Sequence, residues 1–235
     1  MAATVGAAGV SESIRVMTWN VHSSFQLNPK FDIDGVCSII RRWSPDIVAL
    51  QEVDSRGRTD DPFHRLAAAV GEYRAEARSI VTQDGDYGQV LLSRWAFSAD
   101  PAIIDVSHRE REPRRAICAH IRSPIGDVQV VATHLGLSIG ERFAQAQAIA
   151  GLIRPQRSLV LGDFNDWLWV KSVRRVLAAR CPVRTRLRTF PARWPVLRLD
   201  RIYATPDGML RHTWTDSQAR DYSDHLPVIA DVGFR

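Results

Sequence analysis

The sequence predicts an α+β or layered α/β domain with a largely antiparallel or mixed sheet. Three observations predict it. Strand-like runs outnumber helix-like stretches. The helix-like stretches come singly between groups of strands. Neighbouring strands, such as those across 115–136, lie close enough to join as hairpins, the connection of an antiparallel pairing.

The elements follow in order. IRVMTWNVHS (14–23) is a strand of β-branched and apolar residues. FDIDGVCSIIRRW (31–43) places Ile33, Val36, Ile39, Ile40 and Trp43 on one helical stripe, and Ser44-Pro45 stops it. DIVALQEVD (46–54) is a strand. DPFHRLAAAVGEY (61–73) is a helix with Pro62 in its first turn and Gly71 near its end. QVLLSRWAF (89–97), AIIDVS (102–107), RAICAHIRS (115–123) and DVQVVATHLG (127–136) are strands, set apart by turn formers such as Asp84-Gly85 and Ser123-Pro124. ERFAQAQAIAGLIR (141–154) is helical up to Pro155. SLVLGDFND (158–166) is a strand, and KSVRRVLAAR (171–180) a helix ended by Cys181-Pro182. RLDRIYAT (198–205) and LPVIADVGF (226–234) complete the strands. Residues 1–12 read as a flexible lead-in without the basic region and long apolar core of a signal peptide. Residues 13–235 read as a single domain, free of repeats or linkers.

Composition narrows the partners. The chain has 235 residues, 45% hydrophobic and 24% charged, enough for a sizeable core. A net charge of +5 and a pI near 9.5 favour polyanions: nucleic acid, phosphorylated metabolites or anionic lipid head groups. Lys30 and Lys171 are the only lysines, so arginine carries the charge. A guanidinium fork binds phosphate bidentately, and genome bias explains high arginine usage equally well. Cys37, Cys118 and Cys181 are scattered and odd in number, which argues against a disulfide framework or a structural zinc site. Reduced thiols and the lack of an apolar run of transmembrane length point to a cytoplasmic protein.

One pattern repeats along the chain: an apolar strand ends in a side chain able to bind a metal or move a proton. VMTWN ends in Asn20, IVALQE in Glu52, VVATH in His134 and LVLGDFN in Asp163 and Asn165. Asp200 lies amid apolar neighbours, and Ser223, Asp224 and His225 precede the last strand. Singly, each is an ordinary cap or turn former. Together they are one rim, the place where sites are built on rigid scaffolds. Asn20, Glu52 and Asp224 offer hard oxygen donors that suit Mg²⁺, with Mn²⁺ as its substitute. Asp163 and Asn165 share a face if extended, so one can orient a water while the other donates to the same phosphoryl group. His134 and His225 are candidates for proton transfer and charge stabilisation. A buried Asp200 needs a partner, either His225 or the neighbouring Arg198 or Arg201. His22, two residues beyond Asn20, is placed to enter the same cleft. His64, His108, His120 and His212 read as surface or packing.

TWN (18–20), LQEVD (50–54), YGQVLLSR (87–94), EPRRA (112–116), THLG (133–136), GDFND (162–166), LDRIY (199–203) and SDHLPV (223–228) occur in an order that resembles the endonuclease/exonuclease/phosphatase superfamily. The resemblance runs from Arg15 to Val232 and is most specific at GDFN and SDH. It implies a four-layer α/β/β/α sandwich with two mixed, mainly antiparallel sheets. It implies metal-site roles for Asn20, Glu52 and Asp224, and catalytic roles for His134, Asp163, Asn165, Asp200 and His225. Tyr87 and Arg114 match positions that shape the phosphate pocket. THLG differs from the usual pattern of abasic-site endonucleases. Gln89 stands where nuclease-like members carry a carboxylate behind the first histidine, and Arg115 where the family pattern has glycine. THLGLSIGERFAQAQ and RTFPARWP resemble small bacterial stand-alone members.

The expectation is a Mg²⁺-dependent phosphoesterase that hydrolyses a phosphodiester by in-line attack of an activated water, on nucleic acid or a phospholipid head group. A DNA endonuclease or exonuclease is the narrower alternative. A catalytically silent binding scaffold is the alternative of another class. VRTRLR (183–188) could align Arg184, Arg186 and Arg188 on one strand face, as a polyanion contact or a charged edge. Trp167 and Trp194 offer an apolar or stacking wall.

Overall fold

A computed structural model describes residues 13–23, 31–167 and 172–233. The expected lead-in, residues 1–12, lies outside the described residues.

Among the described residues, two six-stranded sheets form. The first contains β1 (Ser13–Asn20), β2 (Ile47–Asp54), β3 (Tyr73–Thr82), β4 (Gly85–Ser93), β11 (Leu210–Trp214) and β12 (Val228–Gly233), in the order β11-β12-β1-β2-β4-β3. The second contains β5 (Ala102–Asp105), β6 (Arg115–Ser123), β7 (Gly126–His134), β8 (Ser158–Asp163), β9 (Val183–Arg184) and β10 (Asp200–Thr205), in the order β5-β6-β7-β8-β10-β9. The helices are α1 (Ile33–Trp43), α2 (Pro62–Ala68), α3 (Ile139–Leu152) and α4 (Val173–Ala178), with a 3-10 turn at Ser217–Asp221.

Alternation along the strands builds the layers. Ile14 and Val16 of β1, Ile47 and Ala49 of β2, Val128 and Val130 of β7, Leu159 and Leu161 of β8 and Ile202 of β10 form the core between the sheets. The opposite faces are apolar too. Met17, Trp19, Val48 and Leu50 pack with Val36, Ile39, Ile40, Phe63 and Leu66 of α1 and α2. Val131, Val160 and Tyr203 pack with Ala146, Ile149 and Leu177 of α3 and α4. The result is the expected α/β/β/α sandwich. Among the described residues, no helix is long and apolar enough to cross a membrane.

Each sheet holds one parallel pair, β1 with β2 and β7 with β8; the other pairings are antiparallel. Helices α1 and α3 make the two crossovers. A parallel pair points both its C-terminal ends the same way, and ligand sites in α/β sheets gather at such ends. An antiparallel neighbour brings its N-terminal end to the same rim. The C-terminal ends of β1, β2, β7 and β8 therefore sit with the N-terminal ends of β4, β10 and β12.

Three local expectations change. The helix expected over 61–73 stops at Ala68, and Tyr73 begins β3 instead. β11 has no counterpart among the expected strands. Both are edge strands of the first sheet, and their exposed charged residues, Arg74, Arg78 and His212 among them, hide the alternation. VRTRLR pairs only at Val183–Arg184, so its arginines do not form a continuous strand face.

Candidate active site

Strand parity delivers most of the rim. Asn20 lies on the inward face of β1 with Val16, His134 on that of β7 with Val130, and Asp163 on that of β8 with Leu161. Asp200 opens β10 directly opposite Asp163 in the antiparallel register. Gly162 is required here, because a Cβ would lie 2.0 Å from the Thr133 carbonyl oxygen on β7.

Glu52 needs a different device. By alternation it falls on the outer face of β2 with Val48 and Leu50. The β2–β4 register shifts between Leu50 and Val53, and Glu52 takes φ 56°. A bulge of this kind re-aims a side chain. Glu52 turns inward and accepts from Asn20 Nδ2 at 2.8 Å. Asn165 (φ 49°) and His22 (φ 45°) also adopt left-handed backbone. Such conformations cost on the order of 1–3 kcal/mol each and cluster at functional sites.

Around Asp163 the groups close in. Its Oδ1 accepts from the Asn165 backbone N–H at 2.9 Å. Its Oδ2 accepts from Asn20 Nδ2 at 3.2 Å and faces His134 Nε2 at 3.6 Å and His225 Nε2 at 3.9 Å. His225 Nδ1 meets Asp200 Oδ2 at 2.9 Å. Of the partners open to Asp200, the structure selects the histidine: Arg201 turns to Asp166, and Arg198 donates to the Arg186 carbonyl. Ser223 fixes the approach of the segment, donating to the Asn20 carbonyl at 2.7 Å and accepting from the His225 N–H at 3.0 Å. Trp19 Nε1 donates to the His225 carbonyl at 2.9 Å.

His134 has an unexpected partner. Gln89 does not support it; its Nε2 donates to the Arg115 carbonyl. Arg114 Nη1 reaches His134 Nδ1 at 3.0 Å instead. A guanidinium can only donate, so Nδ1 accepts and the ring proton sits on Nε2, facing the cleft. Asn165 Nδ2 donates to the Leu135 carbonyl at 2.9 Å and lies 3.5 Å from His134 Nε2. Two donors therefore face one small space. Arg114 and Tyr87 are both buried, and Arg114 lies behind the imidazole.

Charge follows these contacts. Burial and the Arg114 cation push His134 down to about 4. Burial also opposes charge on His225, but Asp200 and Asp163 outweigh it and raise His225 to about 10. Burial opposes ionisation of Glu52, yet the hydrogen bond from His22 and the nearby His134 and Asn20 bring it down to about 2. Burial, reinforced by Asp200, raises Asp163. His22 Nδ1 lies 3.3 Å from Glu52 Oε2 and 3.6 Å from Asp224 Oδ1. The sequence placed His22 near the cleft by its distance from Asn20, but β1 ends at Asn20 and His22 is left-handed, so strand parity is not what brings it there.

Two donor sets could hold a divalent ion. Asp163, Asp200 and His225 offer ligand atoms within 4.8 Å of one another, all buried. The set expected from the sequence, Glu52, Asn20 and Asp224, is the other candidate, linked by the Asn20–Glu52 hydrogen bond and by His22 between Glu52 and Asp224. Of the two, the Glu52 set is the more open, with Asp224 exposed and Glu52 half-buried, and its donors are oxygens of the kind hard cations take.

A family model, the endonuclease/exonuclease/phosphatase family, matches residues 17–225. The chain belongs to that family. This endonuclease/exonuclease/phosphatase protein is 31% identical over 250 residues to the uncharacterized protein YbhP of Escherichia coli K12, across 94% of this chain and 96% of YbhP. Solved structures share its fold. An endonuclease/exonuclease/phosphatase from Beutenbergia cavernae superposes with a TM-score of 0.74 at 22% identity, covering 94% of this chain and 72% of that one. D. rerio TDP2 complexed with single strand DNA product gives 0.72 at 19% identity, covering 95% and 100%. Members of the family are hydrolases of phosphoester bonds.

Other expectations moved. Asp166 is a buried anchor, bonded to Ser172 Oγ, the Val173 N–H and Arg201. Trp167 and Trp194 are exposed. Arg184 and Arg186 line a cavity of about 560 Å³ with Arg174, Arg198 and Arg201, whereas Arg188 stands outside it.

Proposed function

We propose that this protein is a divalent-metal-dependent phosphoesterase that hydrolyses a phosphodiester by in-line attack of water. The observation that carries this reading is Asp163: one oxygen is fixed by Asn165, and the other faces two histidines, one favoured neutral and the other favoured cationic. Asp163 orients the attacking water and takes up its proton, a task that suits a carboxylate made more basic by burial. His225, held charged by Asp200, presents Nε2–H to the developing negative charge. His134, kept neutral, donates from Nε2, and Asn165 donates beside it. Donors fixed in place before reaction stabilise the transition state without reorganising. Glu52, Asn20 and Asp224 would hold Mg²⁺ or Mn²⁺, which would supply neutralisation of the charge that develops on the phosphate. Arg114 positions His134, and Tyr87 and Arg114 border the phosphate pocket.

A nuclease is the narrower version. The five-arginine cavity beside exposed Trp167 favours it over a phospholipid head group, because stacking and cations suit a nucleic-acid strand. We place the enzyme in the cytoplasm, in keeping with its free Cys37, Cys118 and Cys181, and read residues 13–235 as one catalytic domain.

The test uses Asp163→Asn and His225→Ala on an aryl phosphodiester with Mg²⁺ or Mn²⁺, alongside single-stranded DNA. Each should lower turnover by about 10²–10³-fold while the fold is kept. Near-wild-type rates from both folded variants would sink this assignment, and calorimetry showing no Mg²⁺ or Mn²⁺ binding would return the silent-scaffold reading.

A further inference from the structure

We propose that the arginine-lined cavity beside Asp166 is a subsite for a phosphate monoester, so that the substrate carries a terminal phosphate besides the ester that is cut. The subsite rests on the phosphoesterase reading above and adds a requirement at one end of the substrate.

Three segments wall the cavity, which holds about 560 Å³. The loop after β8 supplies Asp166, the start of α4 supplies Arg174, and the β9–β10 region supplies Arg184, Arg186, Arg198 and Arg201. Asp166 is already engaged. Its Oδ2 accepts from Ser172 Oγ at 2.9 Å and lies 3.3 Å from Arg174 Nε and 3.4 Å from Arg201 Nη1. Arg201 Nη2 donates to the Asp166 carbonyl at 2.9 Å. No second carboxylate lines the cavity among the described residues, so Arg184, Arg186 and Arg198 add positive charge there without a matching negative one. Like charges repel more strongly between low-dielectric walls than on an open surface, and a bound anion relieves that repulsion. The walls are also fixed. The Thr185 N–H donates to the Ile202 carbonyl at 2.9 Å, and Thr185 Oγ accepts from the Ile202 N–H at 3.0 Å, which pins the chain between Arg184 and Arg186 to β10. Arg198 Nε donates to the Arg186 carbonyl at 2.8 Å.

Charge selects the ligand. A backbone diester carries a single negative charge, whereas a phosphate monoester carries about −1.5 to −2 at pH 7 and three acceptor oxygens. Guanidinium forks bind such oxygens bidentately. Exposed Trp167 and Val196 border the cavity and offer an apolar edge for the ring of a terminal nucleotide. The reaction centre is near. Asp166 follows Asp163 by three residues, a span of at most about 11 Å. Arg201 follows Asp200 directly. By strand alternation Asp200 shares the inner face of β10 with Ile202, and Arg201 the outer face with Tyr203. The cavity therefore opens on the same rim as the catalytic groups, on the outer side of the second sheet.

Single-stranded octanucleotides of one sequence, ending in a 5′-phosphate, a 3′-phosphate or hydroxyls only, test this. Wild-type kcat/KM should be about tenfold or more higher on one phosphorylated strand than on the hydroxyl-ended strand, mainly through KM. Arg184→Gln combined with Arg186→Gln should erase that preference, while the rates on the hydroxyl-ended strand and on an aryl phosphodiester fall far less. Arg186→Gln alone, at an exposed position, should narrow the preference and serves if the double variant does not fold. No preference for either phosphorylated end, or one that survives these substitutions, would overturn the subsite. Fluorescence anisotropy of labelled strands on metal-free protein reads the same preference without turnover. If the preference appears in binding but no ester is cut, the phosphoesterase reading falls and the cavity stands as a phosphate site. If esters are cut with no preference in either assay, the subsite alone falls. Inorganic phosphate should compete only weakly; competition as tight as that of the phosphorylated strand would assign the cavity to the free ion and overturn the subsite.

Discussion

His134 and His225 are buried to the same degree, each about 6% exposed, yet their surroundings shift their pKa values in opposite directions. Burial alone disfavours the imidazolium in both. His134 stands at the end of β7 with Arg114 behind it, and it drops to about 4. His225 stands before β12 with Asp200 behind it, and it rises to about 10. The difference teaches that the residue behind the ring, not the depth of the ring, sets the function of each histidine. One side of the cleft presents a neutral donor and the other a cation, and Asp163 lies between them.

Breaking the cationic side should cost most. Asp200→Asn removes the carboxylate that holds His225 charged, leaving burial unopposed on that side. Turnover of an aryl phosphodiester should fall about 10²–10³-fold. The His225 titration, followed by NMR in metal-free protein, should move down from about 10. A His225 that stays charged through pH 9 in this variant would show that Asp163, not Asp200, governs it.

Breaking the neutral side should cost less. Arg114→Leu removes the cation behind His134, so that ring should protonate at higher pH than about 4. The acid limb of the kcat/KM profile should shift upward, with about a tenfold loss at mildly acidic pH. An unchanged limb would mean that His134 is not the group the profile reports.

The smallest effect is on stability, and its sign differs for the two rings. His134 has a depressed folded value, so the unfolded chain takes up its proton first, and stability falls as pH drops from about 6.5 through 4. His225 has a raised folded value. Its contribution is full below about 6.5 and is lost as pH rises through 10. Each slope is limited to about 1.4 kcal/mol per pH unit. Urea titrations of metal-free protein should show His134→Gln flattening only the acid side. Flattening on the alkaline side would contradict the assignment.

Much of this was legible in the chain. Apolar strands that end in metal- or proton-handling side chains placed Asn20, His134 and Asp163 on a common rim before any coordinates, with Asp200 marked as a buried carboxylate amid apolar neighbours. The layered class followed from strand number and single helices. Edge strands β3 and β11 were not legible, because solvent-facing charge erases the period that marks a buried strand.

By itself the sequence marked the polar strand ends, Asn20, Glu52, His134, Asp163 and Asp200, that the fold gathers on one rim. Only the tertiary structure decided three things: that a bulge and a left-handed backbone turn Glu52 inward against its parity, that Arg114 rather than Gln89 backs His134, and that His22 meets Glu52 and Asp224. The physical reason is common to all three. Parity is a local property of the backbone, whereas the partner behind a buried charge is set by which distant strand ends the two sheets bring together.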